Sequence, residues 1–144
     1  MRCVLDTNVV VSGVLRPASK PGLLLDMTLS GSLDSVASHE LVAEWREVLR
    51  RPKFGLDGQA VDELVECLAA ASSIEPAVPQ SAWLSPDPKD QFLIDLAAAT
   101  GAYLLTGNVR HLETYPRVLI PADAVEHLRW GRLHASLEYD GAGE

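Results

Sequence analysis

Four acids and one polar corner in this chain have the types and positions to do chemistry. Asp6 closes the apolar run Arg2-Cys3-Val4-Leu5 and is followed by a hydroxyl and an amide, Thr7 and Asn8. Glu44 falls beside the apolar stripe Leu41, Trp45, Val48 and Leu49 on a helical wheel. Asp90 comes just after Asp87-Pro88-Lys89, and Asp95 is the one polar residue between Phe92 and Ala99. Thr106-Gly107-Asn108 follows the apolar Tyr103-Leu104-Leu105. Carboxylates about 4 Å apart repel by roughly 1 to 4 kcal/mol per pair, so such a group persists only with a cation or protons among its members. Oxygen ligands without Cys or His select Mg²⁺ or Mn²⁺. An ion of that kind activates water and stabilises a phosphoryl oxyanion, which is the chemistry of phosphodiester hydrolysis.

Each acid also has a plainer role open to it. An Asp after a strand often caps the next helix, which suits Asp6 equally well. Glu44 can pair with Arg46 or Arg50 on the surface. Asp90 can reach back toward Asp87 in the manner of a capping box, and an acid in a first turn suits the helix dipole. Burying Asp95 unpaired would cost several kcal/mol, so it requires a partner of some kind.

The elements that must carry these residues can be read from hydrophobic periodicity. Arg2–Leu5 reads as a buried strand, residues 16–22 as a loop, Leu23–Leu29 as a buried helix and Ser35–Ala37 as a second strand. Ser38 reads as an N-cap for a helix ending at Arg50-Arg51-Pro52. Asp57 opens another helix, with Asp62, Glu63 and Glu66 as its solvated face. A short strand is expected within Ile74–Pro79, and a helix from Asp87 as cap and Pro88 as first residue to Gly101. Strands at Tyr103–Leu105 and Val118–Ile120 follow, then a helix from Pro121 carrying Val125 and Leu128. Residues 1–130 form the domain, and the tail 131–144 is expected to fray. Strands alternating with helices indicate an α/β fold, a three-layer α/β/α domain on a central parallel sheet. In such sheets ligands collect beyond the carboxyl ends of the strands, where Asp6 and the Thr106 corner would both lie.

Composition narrows the function classes. With 144 residues, 47% hydrophobic and 22% charged, the chain is an ordinary globular domain and not a disordered one. Its net charge of −8 repels nucleic acid overall, so such a partner needs local basic clusters or metal. Cys3 and Cys67 form no zinc or disulfide pattern. No leader and no apolar run of about 18 residues is evident, which leads to the expectation of a cytoplasmic protein without a membrane partner.

The ordered set Leu5-Asp6-Thr7-Asn8-Val9 with Ser12, then Glu44 with Val48-Leu49-Arg50-Arg51-Pro52-Lys53-Phe54, then Pro86-Asp87-Pro88-Lys89-Asp90, then Leu105-Thr106-Gly107-Asn108, resembles the PIN domain. Within that family it looks like the VapC-like toxins of bacterial type II toxin–antitoxin systems, over residues 2 to about 128. The resemblance implies a metal-dependent endoribonuclease, often a dimer, that acts on RNA with Mg²⁺ or Mn²⁺ and is held inactive by a cognate antitoxin protein. Carried onto this chain, it makes Asp6, Glu44 and Asp90 the catalytic acids and metal ligands, with Asp95 the competing third acid. The family's fourth strand-end acid falls on Asn108, which ligates through its carbonyl oxygen but brings one negative charge fewer. One tightly held metal is therefore expected, with Asp87 as a replacement charge. Thr7, Asn8, Ser12 and Thr106 would support the acids, and Arg16, Lys20, Arg50, Arg51, Lys53 and Arg110 are candidates for RNA phosphate contacts. His111 is a further loop candidate, while Trp83 and Trp130 have no place on spacing alone. Two other classes stay open. A phosphatase with Asp6 as nucleophile lacks the usual second acid, since Asn8 stands two residues on. A non-catalytic scaffold would use Asn108 as the mark of a lost site.

Overall fold

Short apolar runs become the strands of one parallel sheet, and amphipathic runs between them become its cover. The computed structural model describes residues 1–142, and the side chains of all of these except His111 and residues 132–142. The order is β1 (Arg2–Leu5), α1 (Thr7–Leu15), α2 (Lys20–Leu29), β2 (Asp34–Ser38), α3 (His39–Leu49), α4 (Gly58–Ala70), β3 (Ser72–Glu75), α5 (Gln91–Thr100), β4 (Tyr103–Leu105), β5 (Val118–Leu119) and α6 (Pro121–Ala142). The strands lie in the order β3-β2-β1-β4-β5, and every pairing is parallel. Helix α5 packs on β1, β2 and β4, while α2 packs on α1, α4 and α6 and α3 on α1 and α4. This is the expected three-layer α/β/α domain.

The core forms where central strands meet these helices: Val4, Leu5, Val36, Leu41, Trp45, Leu93, Ile94 and Leu104 are all buried. Trp45 is fully buried and donates its indole N–H to the carbonyl of Leu5 at 3.2 Å, so the middle of α3 is pinned to the end of β1. The Val9-Val10-Val11 run is helical despite its β-branched side chains, because burying Val9 and Val10 in the core outweighs a small propensity loss. Gly13 is required there by contact: a Cβ would stand 2.6 Å from Leu25 Cδ1 and 2.9 Å from the Pro21 carbonyl. Cys3 and Cys67 are free thiols, and burial pushes the Cys3 thiol up to about 12.

The boundaries that differ most from the sequence reading have local causes. Helix α2 starts at Lys20 inside the expected loop, since Ser19 accepts the Gly22 N–H at 3.2 Å and Pro21 sits in the first turn, where no N–H is needed. Strand β3 ends at Glu75, because Pro76 and Pro79 cannot donate to a ladder. The expected Pro88 helix opens as one 3-10 turn, Pro88–Asp90, before α5. Helix α6 runs from Pro121 to Ala142, across the expected boundary at 130; Gly143 and Glu144 lie outside the described residues. Among the described residues no helix is long and apolar enough to cross a membrane.

Candidate active site

The strand order reverses at β1, which has β2 on one side and β4 on the other, and the crevice beyond such a reversal is where open α/β sheets bind ligands. Leu5 and Leu105 are register partners, so Asp6 and Thr106 leave the sheet side by side. The Asp6 N–H donates to the Leu105 carbonyl at 3.0 Å, and the Thr106 hydroxyl donates to Asp6 Oδ2 at 2.7 Å. That hydroxyl, fully buried, also accepts the Asn108 N–H at 3.0 Å. One side chain thus fixes both the carboxylate and the turn that presents Asn108. Asp6 stands at the N-cap position of α1 but its side chain makes no cap hydrogen bond. The capping role open to it in the sequence is not taken.

Glu44 is held by the same logic. Ser38 caps α3 by accepting the Leu41 N–H at 3.1 Å, Trp45 locks the helix to β1, and Glu44 on the next position accepts a hydrogen bond from the Thr7 hydroxyl. The surface partners expected for it are engaged elsewhere, Arg46 with Asp62 at 3.4 Å and Arg50 with Asp62 at 3.0 Å. That pairing also removes Asp62 from the merely solvated face of α4. Asn8 completes the frame by accepting the Gly107 N–H at 3.3 Å, which ties the turn after β1 to the turn after β4.

The two acids at the start of α5 divide the work. Asp87 caps the 3-10 turn by accepting the Lys89 N–H at 3.0 Å, whereas Asp90 stands at the head of α5 with no side-chain cap bond. Asp90 instead lines a cleft of about 440 Å³ together with Asp6, Glu44, Thr7, Asn8, Ser12 and Asn108. Asp95 faces a different cavity of about 390 Å³, lined also by Ser38, Glu75 and Phe92. Its Oδ1 accepts the Ser81 N–H at 2.9 Å and the Gln91 amide at 2.8 Å, so the partner it required is a loop. The geometry gathers Asp90, not Asp95, with the other two acids.

Burial is the main reason the Asp6 carboxyl is raised above its ordinary value. The Thr106 hydrogen bond opposes the rise, the charge of Asp90 adds to it, a backbone hydrogen bond from Thr7 opposes it, and the charge of Glu44 adds again. Among the described residues, no ion pair reaches Asp6 or Glu44, and no three His, Cys, Asp or Glu side chains are drawn tightly enough together to cage an ion. The donor set is nevertheless that of a hard cation: three carboxylates and the Asn108 amide oxygen on one cleft wall, with a buried carboxylate that repels its neighbours.

Of the six basic candidates, Arg51 alone lines the cleft. Lys53 Nζ sits 5.1 Å from the centroid of the Phe54 ring, which is itself a cleft wall. Arg50 is bonded to Asp62, Lys20 lines a separate surface hollow with Arg129, and Arg16 and Arg110 are exposed. The His111 side chain lies outside the described residues. Val11, Val48, Phe54 and Leu112 form apolar cleft walls, a role the sequence reading assigned to none of them; Val11 and Val48 carry a signal for it, lying four residues after Thr7 and Glu44 on their helices.

A family model described as a PIN domain matches residues 2–110. Among solved structures, the chain is similar to one described as the crystal structure of VapBC2 from Rickettsia felis bound to a DNA fragment from their promoter. The TM-score is 0.55 at 15% identity, over 83% of this chain and 97% of that one, a likeness of fold. No curated protein matches the chain.

Proposed function

This chain belongs to the PIN-domain family, a family of nucleases, and on that premise we propose that the cleft at the end of β1 and β4 is the site of a metal-dependent endoribonuclease. The observation that carries the reading is the convergence of Asp6, Glu44 and Asp90 on one cleft at the sheet's reversal point. Asp6, Glu44, Asp90 and Asn108 would hold Mg²⁺ or Mn²⁺. A divalent ion so held would supply charge stabilisation for the phosphodiester and a water that ionises near neutral pH.

The chain's own residues do the positioning. Thr106 aims the Asp6 carboxylate and Thr7 aims that of Glu44, each by a donated O–H. Asn8 holds the two turns at a fixed spacing. Val11, Val48, Phe54 and Leu112 form apolar walls that strengthen every electrostatic contact between them. Arg51 offers the positive charge that a phosphate needs at the rim of an acidic site.

The biological setting we infer is that of the toxin in a toxin–antitoxin pair, with RNA as substrate, a cognate antitoxin protein as partner and a homodimer as a further assembly. The similarity in fold to a chain of the VapBC2 complex supports it. The test is cleavage of a mixed RNA panel by the purified protein in Mn²⁺ or Mg²⁺, beside an EDTA control and Asp6→Asn. Cleavage lost in both controls is the expected result. Cleavage that survives EDTA, or no cleavage of any RNA, would overturn the reading, the second outcome in favour of a binding scaffold.

A further inference from the structure

Trp83 and Leu84 form an exposed corner that the site above does not use. The two residues are 45% and 58% exposed, yet the backbone beneath them is held by a set of side-chain hydrogen bonds. The Ser81 hydroxyl donates to the Trp83 carbonyl at 3.0 Å and accepts the Trp83 N–H at 3.2 Å. Gln91 donates its amide to the Trp83 carbonyl at 2.9 Å and accepts the Ser85 N–H at 2.8 Å. Asp95 holds Ser81 and Gln91 together from below. Thr114 donates its hydroxyl to the Leu84 carbonyl at 2.8 Å. A flexible loop would hide an indole against the nearest apolar surface; this one is braced to present it.

What the braces are attached to says what the corner faces. Gln91 is the residue after Asp90, and Thr114 lies two residues beyond Leu112; Asp90 and Leu112 both line the acidic cleft. The corner is therefore anchored to the cleft's two flanking segments. Lys89 and Arg110 lie on those same segments and are exposed, so the two flanking segments carry cations as well as the aromatic corner's anchors, and cations with an aromatic group are the combination that tracks a nucleic-acid strand. The chain's net charge of −8 gives no overall attraction for RNA. Stacking on an indole face is indifferent to that charge, because every base has a π-face and the contact does not depend on the phosphate.

We propose that Trp83 is a stacking platform for an unpaired RNA base adjacent to the phosphate held at the Asp6, Glu44 and Asp90 cleft. This rests on the nuclease reading and assigns the base contact beside that phosphate to a residue outside the acidic cleft. Duplex RNA, whose bases are already stacked, gains nothing from the corner.

The test is binding of a fluorescein-labelled single-stranded RNA to the full chain by anisotropy, with Trp83→Ala, Trp83→Phe and the native residue compared on intact strands and on strands with one abasic position. The expected result is a loss of about 5- to 150-fold in affinity for Trp83→Ala, from 1 to 3 kcal/mol of stacking per base, with most of it restored by Trp83→Phe. One abasic position should weaken native binding and leave Trp83→Ala binding unchanged. Equal affinities of the native chain and Trp83→Ala for every strand would overturn the proposal while leaving the nuclease reading intact, provided the native chain cleaves RNA. A defect of Trp83→Ala confined to association with a second protein would overturn it in favour of a protein-docking corner. A native chain that neither binds nor cleaves RNA would overturn both. Trp83→Phe keeps the loop's backbone bonds, so a folding defect in Trp83→Ala does not decide the outcome.

Discussion

Asp6 and Asp95 are both acids in apolar sequence that look alike until their neighbours are known. Asp95 is surrounded by donors: two N–H groups converge on one of its oxygens and fasten the 81–85 loop to α5. Asp6 has one hydroxyl and one backbone N–H on its side and two further acids against it, and is raised above its ordinary value chiefly because it is buried. An acid that stabilises a fold is given donors; one kept for chemistry is given other acids, and the fold bears the repulsion.

The largest expected effect separates the two. Asp6→Asn keeps the shape and the Thr106 contact but removes the charge, and RNA cleavage in Mn²⁺ should fall by more than about 100-fold, beyond the 10- to 100-fold seen for a ligand's supporting partners. Asp95→Ala should leave cleavage within a few-fold and instead destabilise the fold by about 1–3 kcal/mol, since two donors lose their acceptor. Thermal melting would register that as roughly 2–4 °C per kcal/mol. A cleavage defect in Asp95→Ala as large as that of Asp6→Asn would mean the two corners do not differ in kind.

Next in size is the hydroxyl that aims Asp6. Thr106→Val is nearly isosteric, so it removes the 2.7 Å donor to Asp6 and the acceptor for the Asn108 N–H without opening a cavity. Mn²⁺ affinity by calorimetry should drop by about 10- to 100-fold. Asn108→Asp works in the opposite direction by adding an anionic ligand on the exposed turn, and should tighten Mn²⁺ by about tenfold, the effect of 1.4 kcal/mol. Unchanged affinity in that variant would place Asn108 outside the site.

Much of this architecture was legible in the residues because it depends on local signals. Ser38, Asp57 and Asp87 read as caps and are caps, and Gly101 reads as the end of α5 and takes the left-handed conformation at φ 68°. The choice between Asp90 and Asp95 was not legible. They are five residues apart, and the outcome depends in part on a loop folding back so that the Ser81 N–H joins the Gln91 amide of the same helix on Asp95. The same holds for Glu44: whether Arg46 and Arg50 satisfy it or Asp62 turns on how α3 meets α4, and periodicity within one helix carries no information about that. Trp83 had no signal at all, since an exposed indole is defined by what fails to cover it.

The acids' mutual repulsion also has a pH signature. Asp6 holds its proton more tightly folded than unfolded, so its contribution to stability is fully present below the unfolded value of 3.8 and is lost as pH rises through the higher folded value. At pH 7 without metal, Asp6→Asn, which carries no charge, should melt higher than the native chain. The gap should close as pH falls toward 4. Added Mn²⁺ should reverse the order at pH 7 by binding the native chain alone. A native chain that outlasts Asp6→Asn at pH 7 in EDTA would mean the carboxylate is stabilised where it stands, as Asp95 is, and the contrast between the corners would fail.

The smallest effect tests whether the same distinction holds for cations. Arg50 donates twice to Asp62, at 3.1 and 3.0 Å, and so is already engaged. Arg51 lines the cleft and meets Glu47 only at 3.8 Å, on a surface where such a pair contributes little. A phosphate entering the cleft would thus find Arg51 available and Arg50 committed. Arg51→Gln should weaken single-stranded RNA binding a few-fold across all sequences and flatten the plot of log K against log salt by about 0.7, the share of one phosphate contact. Arg50→Gln should leave that slope alone. If both substitutions flatten it equally, Arg50 must exchange Asp62 for phosphate on binding, and the strand's path would cross the junction of α3 and α4 in place of the cleft rim.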